Sequence, residues 1–245
     1  MQQPAHHCIY IGGCGRSGTT LLLKLMRTFE DTHTVAAEST LRAFLEAPRG
    51  VGHLVVKRKP VSRFELPHLP EWISLVYCVR HPFDVLTSKL GEKNTKKNKQ
   101  SYYISQMRWL SEYNSLNRLR ARQPGRQICF IRYEDLVTDP DAVQERIAAN
   151  LLLEVASLFS SVRAKVGARA GGNEGEGVRA LGDQATERLI QPVKLHRWGD
   201  DADKMDYIAS FETSFRRELA GFCDEFNYQL PDGFLRPDSR LTLLD

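Results

Sequence analysis

The 245-residue chain has no Cys-x-x-Cys pair, and its five cysteines (Cys8, Cys14, Cys78, Cys129, Cys223) are odd in number and scattered. This argues against a disulfide framework and against a zinc site. Three of the five fall in apolar runs, where a thiol behaves as a small hydrophobe. A reducing compartment, the cytoplasm, is therefore the expectation. No apolar run approaches the roughly 20 residues a membrane span needs. The stretch from Met1 to His7 is polar and lacks the charged-then-apolar order of a secretory leader, so no signal peptide is expected. Strong charge is also missing. A net charge of +4 is too mild to imply nucleic acid, but it suits an enzyme that holds a small polyanion.

Hydrophobic residues make up 42 % of the chain, an ordinary globular share that excludes disorder. The length suits one α/β domain, and residues 1–245 read as a single unit without repeats. Cys8 to Ile11 is a short apolar run. A glycine-rich stretch follows, and then apolar positions Leu21, Leu22, Leu25, Met26 and Phe29 mark one helix face. His53 to Lys57, Ile73 to Val79 and Gln127 to Arg132 read as further strands.

Pro82 and the pair Asp139-Pro140 are helix starts. Ile104, Met107, Leu110 and Tyr113 mark a helix with an arginine-rich polar face. From Asp203 to Tyr228 the apolar positions Met205, Ile208, Phe211, Phe215, Leu219, Phe222 and Phe226 predict one long amphipathic helix. Residues 168–183, rich in glycine and charge, predict a mobile loop, and 231–245 an irregular tail. Alternating strands and helices predict a parallel sheet, like that of the P-loop nucleotidases, covered by helices on both faces.

The glycine-rich stretch runs Gly12-Gly13-Cys14-Gly15-Arg16-Ser17-Gly18-Thr19-Thr20. Between a strand and a helix, such a loop points several backbone N–H groups at one spot and suits phosphate or sulfate. From Gly13 it nearly matches the nucleotidase pattern G-x-x-x-x-G-K-[ST], but Thr19 stands in the lysine place. That weighs against an ATPase or kinase. Arg16 supplies a cation inside the loop, and Ser17, Thr19 and Thr20 supply hydroxyls. Further on, Tyr77-Cys78-Val79-Arg80-His81-Pro82 puts an arginine at the C-terminal end of a strand. Ser88 follows eight residues later, about two helical turns along. In a parallel sheet that end faces the ligand crevice, where guanidinium and hydroxyl can grip a second phosphate.

Together these motifs resemble the sulfotransferases that use 3′-phosphoadenosine 5′-phosphosulfate (PAPS). Gly15, Arg16, Ser17, Gly18, Thr19 and Thr20 are similar to their 5′-phosphosulfate loop, in the arginine form of the tyrosylprotein, glycan and bacterial members. Arg80 with Ser88 resembles their 3′-phosphate site, and Ile131-Arg132-Tyr133-Glu134-Asp135-Leu136 a strand-end segment of the family. The likeness covers roughly Ile9 to Pro140 and weakens in the last third.

It implies sulfuryl transfer without a metal, leaving adenosine 3′,5′-bisphosphate. By the same resemblance Glu38 takes the place of a general base, ahead of His53 at the wrong end of its strand. Lys57 reaches the leaving phosphate, with Arg58 and Lys59 as competitors. Tyr133 lies by the adenine or in the core. Lys194-Leu195-His196-Arg197-Trp198 resembles a loop that closes over the nucleotide, with Lys194 and Arg197 on the 3′-phosphate and Trp198 either on the adenine or in the core. Lys89, Lys93, Lys96, Lys97 and Lys99 form a basic cluster, read either as a solvated loop or as a dock for an acidic acceptor such as a carbohydrate. The rival readings are a P-loop kinase or hydrolase and a nucleotide-binding module without activity.

Overall fold

The computed structural model describes residues 6–46, 50–89, 102–162, 195–196 and 198–235. Five strands, β1 (His7–Gly13), β2 (Thr32–Thr34), β3 (His53–Lys57), β4 (Ile73–Val79) and β5 (Ile128–Arg132), form a sheet in the order β2-β3-β1-β4-β5. Every pairing is parallel. The helices are α1 (Thr19–Leu25), α2 (Pro82–Leu86), α3 (Gln106–Arg122), α4 (Tyr133–Thr138), α5 (Pro140–Leu151), α6 (Ala202–Ala209) and α7 (Thr213–Glu225). The expected α/β architecture is thus present.

Side chains alternate across a strand, so each strand feeds two cores. On one face Tyr10, Leu54, Val56, Leu75 and Tyr77 pack with Trp109, Leu116 and Leu119 of α3 and with Phe215, Leu219 and Phe222 of α7. On the other, Ile9, Ile11, Val55, Val76, Cys78 and Ile131 pack with Leu21, Leu22 and Leu25 of α1 and Val143 and Ile147 of α5. Near-continuous apolar strands are what burial on both faces requires.

Three expectations need correction. Met107, expected on the buried face of α3, is 76 % exposed, and the inward face is instead Trp109, Glu112, Leu116 and Leu119. The long C-terminal helix is two helices, broken after Ala209 although the apolar spacing runs on through Phe211. The buried guanidinium of Arg216 explains the break. It donates from Nη2 to the Ala209 carbonyl (2.5 Å), from Nε to the Phe211 carbonyl (2.8 Å) and from Nη1 to the Phe234 carbonyl (2.8 Å). Carbonyls that a break would leave unsatisfied thereby gain donors. The third is the number of strands: four are read from the sequence, and β2, three polar residues at the sheet edge that carry no apolar signal, is a fifth.

The C-terminal ends of β4 and β5 are knotted around His81. Its backbone N–H donates to Glu134 (3.0 Å), whose other carboxylate oxygen accepts from the Tyr228 hydroxyl (2.8 Å). The ring caps α2: Nδ1 accepts from the Phe83 N–H (3.3 Å), which leaves Nε2–H to donate to the Gln229 carbonyl (3.0 Å). A ring so placed is neutral, and burial pushes its pKa down to about 3.

The folded pKa lies below the unfolded value near 6.5, so His81 contributes its full stability above that pH. The contribution is lost as pH falls from there toward 3. Against a non-titrating cap, His81→Asn, the wild type should lose on the order of 1 kcal/mol more per pH unit across this window. Denaturant melts from pH 7 to 4 measure this, and parallel pH profiles would mean the ring is not held neutral.

Candidate active site

The loop that follows β1 is shaped by two glycines that nothing else replaces. Gly13 has φ 139°, and a Cβ there would stand 2.6 Å from the Cys78 carbonyl oxygen. Gly18, the residue before α1, has φ 94°, and its Cβ would stand 2.5 Å from the Tyr133 ring. Arg16 between them also holds a left-handed φ of 74°, which turns the chain sharply at its exposed tip. The buried Ser17 hydroxyl donates to the Cys14 carbonyl (2.6 Å), which braces the loop from within.

The two grips expected from the sequence touch one another. Arg80 leaves the end of β4 and donates from Nη1 to the Arg16 carbonyl (3.1 Å). Arg16 Nε donates in turn to the Ser88 hydroxyl (2.7 Å). The Arg80 guanidinium lies over the Tyr133 ring, 4.3 Å from its centroid. Tyr133 is therefore the plate on which Arg80 rests and the wall behind Gly18. Asp84, one turn into α2, stands 3.9 Å from Arg80 and accepts the His196 backbone N–H (3.2 Å). The 195–196 turn is thereby held at the same edge.

On the opposite flank, Lys57 closes β3. Its Nζ donates to the Thr20 hydroxyl (2.5 Å) and pairs with Glu38 (2.7 Å). The lysine is almost buried, whereas the Glu38 side chain is 41 % exposed. The cation missing from position 19 of the loop thus arrives from the neighbouring strand. Of its two competitors, Lys59 is exposed, and Arg58 turns into the core. Arg58 pairs there with buried Glu112 and donates to the Gly13 carbonyl (3.1 Å). Burial raises the Glu112 pKa against the opposing pull of Arg58, Arg108 and Arg63.

His53 faces His7 at the N-terminal end of the sheet, with Nδ1 atoms 3.3 Å apart, and lies away from this edge. Trp198 does not meet the crevice. It is buried and stacked on His81 with centroids 5.4 Å apart, which takes the core alternative. Lys194, Arg197, most of the lysine cluster and the 168–183 segment lie outside the described residues. Among the described residues no group of acidic, histidine or cysteine side chains has the arrangement of a metal site.

Two residues of this edge escaped the sequence reading. Asp84 follows Arg80 by four positions on the same short turn, a spacing that would have flagged it. Glu112 sits in the 3–4 rhythm of Trp109, Leu116 and Leu119, and a carboxylate on a buried stripe signals a partner.

Comparison with known proteins agrees with this geometry. Residues 68–157 match the profile of the Sulfotransferase family, a stretch that contains β4, Arg80, Ser88, Tyr133 and Glu134. The glycine loop precedes it. The fold is similar to the crystal structure of a sulfotransferase from Alicyclobacillus acidocaldarius, with TM-score 0.53 and 12 % identity over 95 % of this chain and 100 % of that one. It is also similar to a sulfotransferase from Mycobacterium avium, with TM-score 0.52 and 12 % identity over 93 % of this chain and 79 % of that one. No curated protein sequence matches the chain. The fold is therefore that of the sulfotransferases, and the family profile matches the 68–157 stretch that carries part of the motif resemblance.

The glycines give a direct test of the loop. Gly50 also has a positive φ (76°) but open space around it. Gly50→Ala should cost about 1 kcal/mol, the backbone cost alone, and Gly18→Ala about 3 kcal/mol because the Tyr133 ring must also move. Chemical denaturation reads both. Equal losses would mean that Tyr133 yields freely.

Proposed function

We propose that this protein is an enzyme that transfers a sulfuryl group from PAPS to a hydroxyl or amine of an acceptor. The observation that carries the reading is the pair of touching grips at one sheet edge: the loop with Arg16, and Arg80 with Ser88. A ligand with a phosphosulfate at one end and a phosphate a few ångströms away fits a donor set of backbone N–H groups, hydroxyls and guanidiniums, with no metal in the scheme. Gly15, Arg16, Ser17, Gly18, Thr19 and Thr20 would cradle the phosphosulfate, and Arg80 and Ser88 the 3′-phosphate, with Tyr133 behind them. Lys194 and Arg197 remain proposed contacts of the same phosphate. Five unpaired, buried cysteines favour the cytoplasm.

PAPS supplies an activated sulfur that the acceptor oxygen attacks in line as the bond to the 5′-phosphate oxygen breaks. Glu38 accepts the proton that the acceptor hydroxyl gives up. Lys57, already at the Thr20 hydroxyl, stabilises the charge that grows on the leaving phosphate, and Arg16 stabilises the sulfonate oxygens. The exposed Glu38 carboxylate can swing from Lys57 to the acceptor without opening the core.

Calorimetry tests the donor. Adenosine 3′,5′-bisphosphate should bind without divalent metal and better than ATP with magnesium, and the reverse order would sink the assignment. Arg80→Ala should weaken it by roughly 2–4 kcal/mol, while adenosine 5′-phosphosulfate, lacking the 3′ group, changes little. If both ligands lose equally, Arg80 serves the loop and not the phosphate.

Glu38→Gln should leave bisphosphate affinity nearly unchanged and lower turnover on an un-ionised hydroxyl by about 10²–10⁴. An acidic phenol, already ionised, should lose much less. Equal losses on both acceptors would remove Glu38 from the role of base.

A further inference from the structure

The outer edge of the sheet holds a cavity that the donor reading does not use. It has a volume of about 420 Å³ and lies where β5 ends, and its wall includes Arg132, His81, His196, Trp198, Tyr228 and residues 229–231. Strand alternation sets it apart from the donor grips. Cys129, Ile131 and Tyr133 pack on the α1 side of the sheet, whereas Ile128 and Phe130 pack on the α3 and α7 side. Arg132 shares the second face. Its guanidinium lies over the Tyr228 ring, 4.6 Å from the centroid, and Tyr228 and Trp198 belong to that same core. Tyr133, Arg80 and the glycine loop contribute nothing to the wall.

Most polar groups of this wall are already engaged with their neighbours. His81 uses both ring nitrogens, on the Phe83 N–H and the Gln229 carbonyl, and the Tyr228 hydroxyl donates to Glu134. Two donors are left over. Arg132 Nε and Trp198 Nε1 are buried without a hydrogen-bond partner among the described residues, and Trp198 is only 5 % exposed. Buried donors are costly unless something accepts from them. No carboxylate lines the cavity, and among the described residues none stands at ion-pair distance from Arg132. The Arg80 and Arg132 charges add to burial in holding His81 neutral, so the wall is positive.

An occupant must therefore bring acceptors and negative charge, and it must also fill space. A lone phosphate or sulfate would leave most of the cavity empty and the Trp198 and Tyr228 rings, Leu230 and Pro231 uncovered. The Nε edge of a guanidinium meets a carboxylate through two parallel bonds, and a flat ring covers an aromatic wall. We infer that this cavity is a second ligand site, separate from the donor site, and that it takes a small aromatic carboxylate whose oxygens answer Arg132 Nε and the Trp198 indole N–H. The volume is in the range of small-molecule pockets. The site adjoins the donor grip through His196, whose backbone N–H is held by Asp84 beside Arg80, and the two ligands bind together. The inference does not rest on the sulfuryl-transfer reading.

The probes are 2-naphthoate, its neutral amide 2-naphthamide, and inorganic phosphate, on the whole chain with and without adenosine 3′,5′-bisphosphate. Calorimetry should show 2-naphthoate binding at least about tenfold tighter than either of the other two. The Trp198 indole N–H resonance, followed by NMR in the wild type, should move with 2-naphthoate occupancy. Arg132→Gln should weaken 2-naphthoate about tenfold and leave 2-naphthamide nearly unchanged, and Arg132→Lys should restore part of the loss. Saturating bisphosphate should leave 2-naphthoate bound. Displacement by the bisphosphate overturns the inference, because the cavity would then be part of the donor site. Equal binding of the three probes, a Trp198 resonance that stays in place, or an Arg132→Gln protein that binds 2-naphthoate as before overturns it as well. Should both variants fail to fold, the wild-type resonance and the competition decide alone.

Discussion

The register of three central strands sets everything at the reactive edge. β1 is hydrogen-bonded on both sides, with Ile11 beside Lys57 of β3 and Gly13 beside Cys78 of β4, while Val79 pairs with Arg132 of β5. Because all run in one direction, the residues just past these pairs emerge together. One strand yields the loop, a second the lysine, a third the arginine and a fourth the Tyr133–Glu134 segment. A slip of one residue in any pairing would turn its side chains to the opposite face. The burial of both faces makes such a slip costly. The site is in this sense a product of core packing, and its charges sit where the apolar register leaves them.

How much of this was legible depended on whether the cause was local. Strands β3 and β4 could be read because they are buried on both faces and so consist of apolar residues. The start of α5 could be read because Asp139 accepts from the Ala142 N–H and Pro140 follows it. β2 could not, since Thr32-His33-Thr34 owes its pairing to its neighbour β3 and not to its own residues. The break between α6 and α7 was hidden for a related reason. Its cause is Arg216, whose guanidinium reaches three carbonyls that only the fold brings together.

The site divides along the same line. Gly13, Gly18, Arg80 and Ser88 announce themselves by spacing within one stretch of chain. The pairing of Lys57 with Thr20 and Glu38 spans three separate segments, so neighbours in sequence gave no way to choose among Lys57, Arg58 and Lys59. The fold separates them by strand alternation, sending Lys57 toward the Thr20 side and Arg58 toward α3. The contact of Arg16 with Ser88 likewise joins two motifs that read as independent.

All five cysteines are buried, and burial raises each thiol, Cys8 and Cys129 to about 11 and Cys14 and Cys223 to about 12. A thiol in this state is neither accessible nor ionised near neutral pH, so alkylating reagents must wait for the chain to open. The five lie at different depths of the same architecture: Cys14 in the loop, Cys223 on α7, and the rest in β1, β4 and β5. Labelling kinetics resolved by site would therefore chart the order in which loop, helix layer and sheet come apart, with no probe added to the native chain.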